Sequence, residues 1–203
     1  GGTGECYTLN MTCTYNTAGK SAFIMDGLNA AFAAHDVNMC LHSGAGTTAN
    51  LVLNGGVFKC SMIYIIKEGG CGIVSFGGGT LRAASEGVPL FEYGAYHPVT
   101  RVITYDGGAV IDTGGKNVSV TVPIEKATGN GVVGVEGFEQ LANRIGAPTT
   151  WVTGDGTGAV AVAEWDYATR TVTGIRICSP GVGYTTATVN LYDHAGKRVE
   201  SYP

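Results

Sequence analysis

Hydrophobic residues recur along this chain in short alternating runs that break on paired glycines. The stretch Asn50–Cys60, NLVLNGGVFKC, sets the type: an apolar run, a Gly-Gly step, then another apolar pair. The step occurs three times, as Leu53-Asn54-Gly55-Gly56-Val57-Phe58, as Phe76-Gly77-Gly78-Gly79-Thr80-Leu81 and as Tyr105-Asp106-Gly107-Gly108-Ala109-Val110. The spacings are 23 residues (54 to 77) and 29 residues (77 to 106). Repeats of this length suggest a solenoid, each coil holding two or three short strands and their corners. The glycines would supply positive φ or close backbone approach where each coil bends. The competing reading makes each step a hairpin turn of an antiparallel sandwich. The spacing favours an all-β chain built as a short parallel β-helix. It places Asn54, Gly77 and Asp106 at equivalent corners, with Leu53, Phe76 and Tyr105 stacked beside them.

Elsewhere the period changes. Ser21–His35, SAFIMDGLNAAFAAH, is Ala-rich and reads as a helix with Ser21 as N-cap, or as a cap on the open end of the solenoid. Lys116–Ile124, KNVSVTVPI, alternates as a strand with Val118, Val120, Val122 and Ile124 on one face. Val135, Phe138, Leu141, Ala142 and Ile145 fall at helical spacing, with Gly146 and Pro148 as stops, and predict a helix over 135–145. Behind a boundary near 147 the chain reads strand, turn, strand: a small antiparallel β module over 148–203. Its expected turns lie at Asp166–Thr169 and Ser179–Gly181.

Composition sharpens this picture. With 33 Gly among 203 residues, 44% hydrophobic and 14% charged, the chain suits β structure with many tight turns and an ample core. A net charge of −4 without a basic cluster argues against nucleic-acid partners, and no run of about 18 apolar residues exists to insert in a membrane. The opening GGTGECYTLN reads as a mature chain or an excised domain. Six cysteines, Cys6, Cys13, Cys40, Cys60, Cys71 and Cys178, lack a C-x-x-C pair. Their even number and wide spacing suggest disulfides in an oxidising compartment, with Cys60 and Cys71 the favoured pair. The sequons at Asn10 and Asn117 would matter in a eukaryotic secretory route.

Candidate chemistry is sparse. Gly129-Asn130-Gly131-Val132-Val133-Gly134 spells a dinucleotide fingerprint, but four polar or small residues separate it from the preceding strand and no second βα unit follows. No cofactor is expected. The acids Asp106, Asp112 and Asp155 sit in turn contexts rather than in a catalytic cluster. His35, His42, His97 and His194 are scattered, so no metal site is expected. Tyrosines in Phe91–Pro98, FEYGAYHP, could stack on sugars or anchor a loop. In CYTLNMTCTY the alternating Tyr7, Leu9 and Met11 are the residues expected to pair with another subunit.

Three stretches carry a resemblance. NLVLNGGVF and VITYDGGAVIDTGGKNVSVTVPI resemble the repeat of autotransporter-associated β-strand proteins, whose passengers are right-handed β-helices. The segment with Gly156, Gly158, Ala159, Ala161, Val172, Gly174, Ile175, Pro180, Gly181, Gly183 and Tyr184 looks like one that follows such coils in large surface proteins and in phage structural proteins. The resemblance implies a surface or extracellular structural role; the strand edges that a β-helix exposes at its ends add the expectation that the module is adhesive or self-assembles into a fibre, or contacts another surface macromolecule or glycan. The alternatives are a carbohydrate-active β-helix enzyme and a phage or viral fibre component.

Overall fold

The computed structural model describes residues 2–11, 19–41, 45–66, 69–91, 97–142 and 144–203. The chain forms two compact units, Gly1–Lys126 and Ala127–Pro203. The division falls after Lys126 rather than near 147. All regular structure among the described residues is β.

In chain order the first unit holds β1 (Thr3–Met11), β2 (Lys20–Met25), β3 (Ala31–Met39), β4 (Thr48–Leu53), β5 (Val57–Cys60), β6 (Met62–Ile65), β7 (Cys71–Phe76), β8 (Thr80–Ala83), β9 (Arg101–Thr104), β10 (Val110–Asp112) and β11 (Ile124–Lys126). They sort into two sheets whose strand order is chain order: β1-β3-β5-β8-β10, with β6 also on β3, and β11-β9-β7-β4-β2 read from the other end. Every strand pair in both sheets is parallel. The chain crosses from one sheet to the other after almost every strand.

In-register columns build the core. Phe23, Leu51, Val74 and Val102 face one another across β2, β4, β7 and β9, and Met25, Leu53 and Phe76 form the next column. Phe32, Phe58 and Leu81 fill the inside of the other sheet. Phe23, Phe32 and Phe58 meet as an aromatic cluster with centroids 4.8–5.7 Å apart. β4 and β7 are buried on both faces, since Val52, Ile73 and Ser75 are covered too. Such double burial is what near-continuous apolar strands in parallel sheets signify.

The first sheet is creased. Its inward positions switch parity between Ala34 and Val37, and between Cys60 and Ile63, where Ser61 interrupts β5 and β6. Small residues line the inside of the crease, with Cys6 opposite Ala34 and Cys60 opposite Ala83. A larger side chain there would hold the two halves apart.

The Gly-Gly steps are corners between the sheets, three residues long at 54–56 and 77–79 and five long at 105–109; the corner at 26–30, DGLNA, also spans five residues but holds a single glycine. Leu53 pairs with Phe76 as expected. The third member is Thr104 rather than Tyr105, because the longer corner shifts the frame. At that corner Gly107 abuts Gly77: a Cβ on Gly107 would lie 2.1 Å from the Gly77 carbonyl oxygen.

The helix expected over Ser21–His35 does not form. That stretch is β2, a corner and the start of β3, and its alanines alternate in strands bonded to β4, β1 and β5. Pairing on both sides of β3 overrides a helix propensity that is modest once Gly27 is counted. The strand expected over Lys116–Ile124 is also shorter, because regular pairing begins at Ile124. Residues 117–119 bond instead to 87–90. Val122 is buried and Val118 packs on the core, whereas Val120 and Ile124 are exposed, so the four do not share a face.

The second unit is antiparallel. It comprises β12 (Thr149–Gly154), β13 (Thr157–Asp166), β14 (Thr171–Val182), β15 (Ala187–Tyr192) and β16 (Arg198–Tyr202). β13 and β14 form a hairpin, and β12-β15-β16 a three-stranded sheet. The turn at Asp166–Thr169 is as expected: the Asp166 carboxylate accepts from the amides of Ala168 and Thr169 at 2.8 and 3.3 Å. Ser179–Gly181 is not a turn but lies inside β14, and the chain reverses after Val182. The helix expected over 135–145 is instead an irregular strap. Leu141 exchanges backbone hydrogen bonds with Val172, the Arg144 amide donates to the Arg170 carbonyl, and Glu136 donates to Pro203. Gly137 takes φ 64°, which ends any helical run. Val135, Phe138 and Leu141 still reach the core, so their spacing reports burial but not helix.

Candidate functional site

The sheet order leaves two kinds of end. At one, β1 and β2 are terminal strands nine and six residues long; at the other, β10 and β11 span three residues each. A terminal strand presents backbone donors and acceptors that can template another strand, and short terminal strands are one of the devices that blunt this tendency. The β1 end is therefore the stronger candidate for strand addition.

The side chains on β1 divide differently from expectation. Tyr7 is 73% exposed and stacks on His35, the ring centroids 4.9 Å apart and the planes 4° from parallel. His35 Nδ1 lies 2.9 Å from Asp36 Oδ1. Leu9 packs against the core and Met11 is buried within it, because the crease moves the inward positions between Tyr7 and Leu9. Tyr7 remains available to a partner; Leu9 and Met11 do not. Asn38, a residue without any flag in the sequence, stands beside them. Its Nδ2 donates to Asn10 Oδ1 at 2.7 Å, tying β3 to the edge strand, while its own buried Oδ1 has no hydrogen-bond partner. The asparagines pair in register, and the 28-residue Asn spacing (10 to 38) is the signal that could have found them.

At the opposite end ion pairs fasten the short strands. Arg82 Nε donates to Asp112 Oδ2 at 2.7 Å and an Arg101 guanidinium nitrogen to Glu125 Oε2 at 2.6 Å. Asp112 also accepts from the Gly114 amide, and these bonds hold its carboxyl below the usual carboxylate range. Val110, Val120 and Ile124 are exposed nearby in sequence.

Asp155 holds a turn. Asp155 accepts from the amides of Thr185 and Thr186, both at 3.0 Å, and from the Thr185 hydroxyl. Those three bonds depress its pKa strongly. No three His, Cys, Asp or Glu side chains converge on a possible metal position among the described residues.

The thiols are free at Cys6, Cys40, Cys60, Cys71 and Cys178, and the favoured Cys60–Cys71 bridge is not formed; Cys13 lies outside the described residues, as do His42, Tyr93 and Tyr96. Cys60 is fully buried in the crease and its pKa is raised by that burial. Burial likewise pushes Cys40 up to about 11. Its Sγ lies 3.5 Å from the Cys71 carbonyl oxygen.

No family model matches the chain, and no curated protein or solved structure is detectably similar to it.

Proposed function

We propose that the first unit is a right-handed parallel β-helix and that the protein is an extracellular or cell-surface structural module associating with further copies of itself through the β1 edge. The observation that carries this reading is the sheet order. Strands alternate between two parallel sheets in chain order, and β1, nine residues long, ends its sheet bonded to one neighbouring strand. Right-handedness follows from the strong preference of parallel crossovers. Strand addition at such an edge supplies affinity through main-chain hydrogen bonds, and exposed side chains such as Tyr7 supply selectivity. Asp112 pairs with Arg82, Glu125 with Arg101, and Asp155 holds a turn, so none of these three is a free carboxyl.

The test is a charged edge. Thr3→Lys, Glu5→Lys and Tyr7→Lys alter exposed positions of β1 without touching the core. Light scattering across a concentration series should show wild-type assemblies that grow with concentration, and a triple variant that stays monomeric with an unchanged circular dichroism spectrum. A monomeric wild type at every concentration would refute self-association.

A further inference from the structure

Hydrogen bonding along β1 fixes which of its backbone groups lie on the free edge. Successive residues of a strand turn their amide and carbonyl groups to alternate sides. The Gly2 carbonyl accepts from the Ala31 amide and the Met11 carbonyl from the Cys40 amide, so both face β3. Two residues an odd number of steps apart would face opposite sides of an unbroken strand. The alternation therefore slips once, at the crease between Tyr7 and Leu9. Before the slip Thr3, Glu5 and Tyr7 turn their backbone groups to the free edge; after it Thr8 and Asn10 do. The side chains divide the same way. Gly4 lies against the Phe32 ring and Cys6, Leu9 and Met11 face the core, whereas Thr3, Glu5, Tyr7 and Asn10 are exposed.

An antiparallel strand laid on this edge must set inward residues opposite inward ones, and outward opposite outward. A second β1 does so about a two-fold axis through the crease. Tyr7 then faces Thr8 of the second copy, Glu5 faces Asn10, Cys6 faces Leu9 and Gly4 faces Met11. Any other register across the crease sets an inward residue against an outward one. The longest register confined to one side of it, Thr3–Tyr7, sets Glu5 against Glu5. The two-fold register also completes Asn10. Its Oδ1 accepts from Asn38 Nδ2 at 2.7 Å, which leaves its own amide hydrogens to donate across the edge, where the Glu5 carboxylate of the second copy stands.

The β10 end is a poorer partner. Extending the parallel register that links Thr3, Ala31, Val57, Thr80 and Val110 would lay β1 over the three residues of β10, with Glu5 above Asp112. Like charges directly opposite are destabilising.

We propose that two copies of the chain pair through antiparallel β1 strands about a two-fold axis at the crease, closing a dimer rather than extending a fibre. This rests on the self-association reading and gives it a geometry. A two-fold interface uses the same surface on both copies and stops at two. The exposed Tyr7 rings flank the axis on the outer face.

The test uses the full chain. Light scattering should show a mass that rises with concentration and levels at two chains. In wild type, amide exchange followed by NMR should slow with concentration at Glu5, Tyr7, Thr8 and Asn10, the residues on both sides of the crease that face the free edge. Glu5→Lys should weaken the dimer about tenfold or more, the scale of a lost charged hydrogen bond, and Asn10→Asp should weaken it by setting two carboxylates together. Glu5→Lys combined with Asn10→Asp should recover most of the lost affinity, with an unchanged circular dichroism spectrum in all three. Growth beyond two chains, or concentration-dependent protection confined to Thr3, Glu5 and β10, would overturn the dimer while leaving self-association standing. Failure of the double variant to recover affinity when all three are folded would overturn the register. A monomer at every concentration would remove both the dimer and the reading it rests on.

Discussion

Tyr184 lies flat against Gly156: a Cβ on that glycine would come within 2.4 Å of the ring's Cδ2 and 2.5 Å of its Cγ. Gly181 and Gly154 close the same cradle, with Cβ positions 2.7 and 3.1 Å from the ring. The spacing of Gly156, Gly181 and Tyr184 is thus a packing motif, not a ligand loop. Gly156→Ala should lower the stability of the second unit by about 1–3 kcal/mol, the usual cost of overpacking. Urea unfolding followed by tryptophan fluorescence, from Trp151 and Trp165, reads this directly.

The two adjacent corner glycines, Gly107 and Gly108, should respond for different reasons. Gly108 has φ 74° and open space where a Cβ would project, so Gly108→Ala should cost about 1–2 kcal/mol of backbone strain. Gly107 meets the Gly77 backbone, which cannot rotate away. Gly107→Ala should cost more than Gly108→Ala, as compared by urea midpoints.

Phe58 sits at the centre of the aromatic cluster and is fully buried. Phe58→Ala should destabilise the first unit by about 3–5 kcal/mol. A scanning-calorimetry shift confined to one transition would assign the loss to that unit.

Asp155 gives the second unit an acid limit. Its folded pKa is depressed below the unfolded value, so its contribution is present above the unfolded carboxylate range, near pH 4. It is lost as pH falls toward the folded value. The midpoint of the second unit should therefore fall below about pH 4, and Asp155→Asn should flatten that dependence while lowering stability at neutral pH. A pH series of thermal melts on both proteins checks the sign.

Thiol reactivity should follow burial. At pH 8 in the native state, Cys60 should resist iodoacetamide and Cys40 should react slowly, whereas Cys6, only partly buried, should label faster than either. Peptide mapping by mass spectrometry ranks the three.

The strands are legible in the sequence where apolar runs meet Gly-Gly steps, because a corner that must pack on its neighbour leaves glycine no substitute. Leu53 opposite Phe76 follows from that spacing. The segments that mislead are those whose partners are remote. Ala31–His35 has helix-forming residues, but β1 and β5 claim its backbone, and no local signal announces a neighbour 26 residues away at Val57. Phe138 and Leu141 show helical spacing because an irregular strap also returns to the core every few residues. Alternation from Tyr7 puts Leu9 and Met11 on the surface, but the crease interrupts that alternation and turns both inward.

The order of the strands also sets how the first unit bears load. Each parallel strand is bonded sideways to strands two or three elements away in the chain. A pull along the strands loads the whole register of β1 and β3 at once, eight residue pairs in shear. A pull at right angles, from sheet edge to sheet edge, opens the same ladder bond by bond, like a zip. The unit is stiff across its strands' length and tears along its stacking direction, and the three-residue registers of β10 with β8 and β11 with β9 are where such a tear starts most easily.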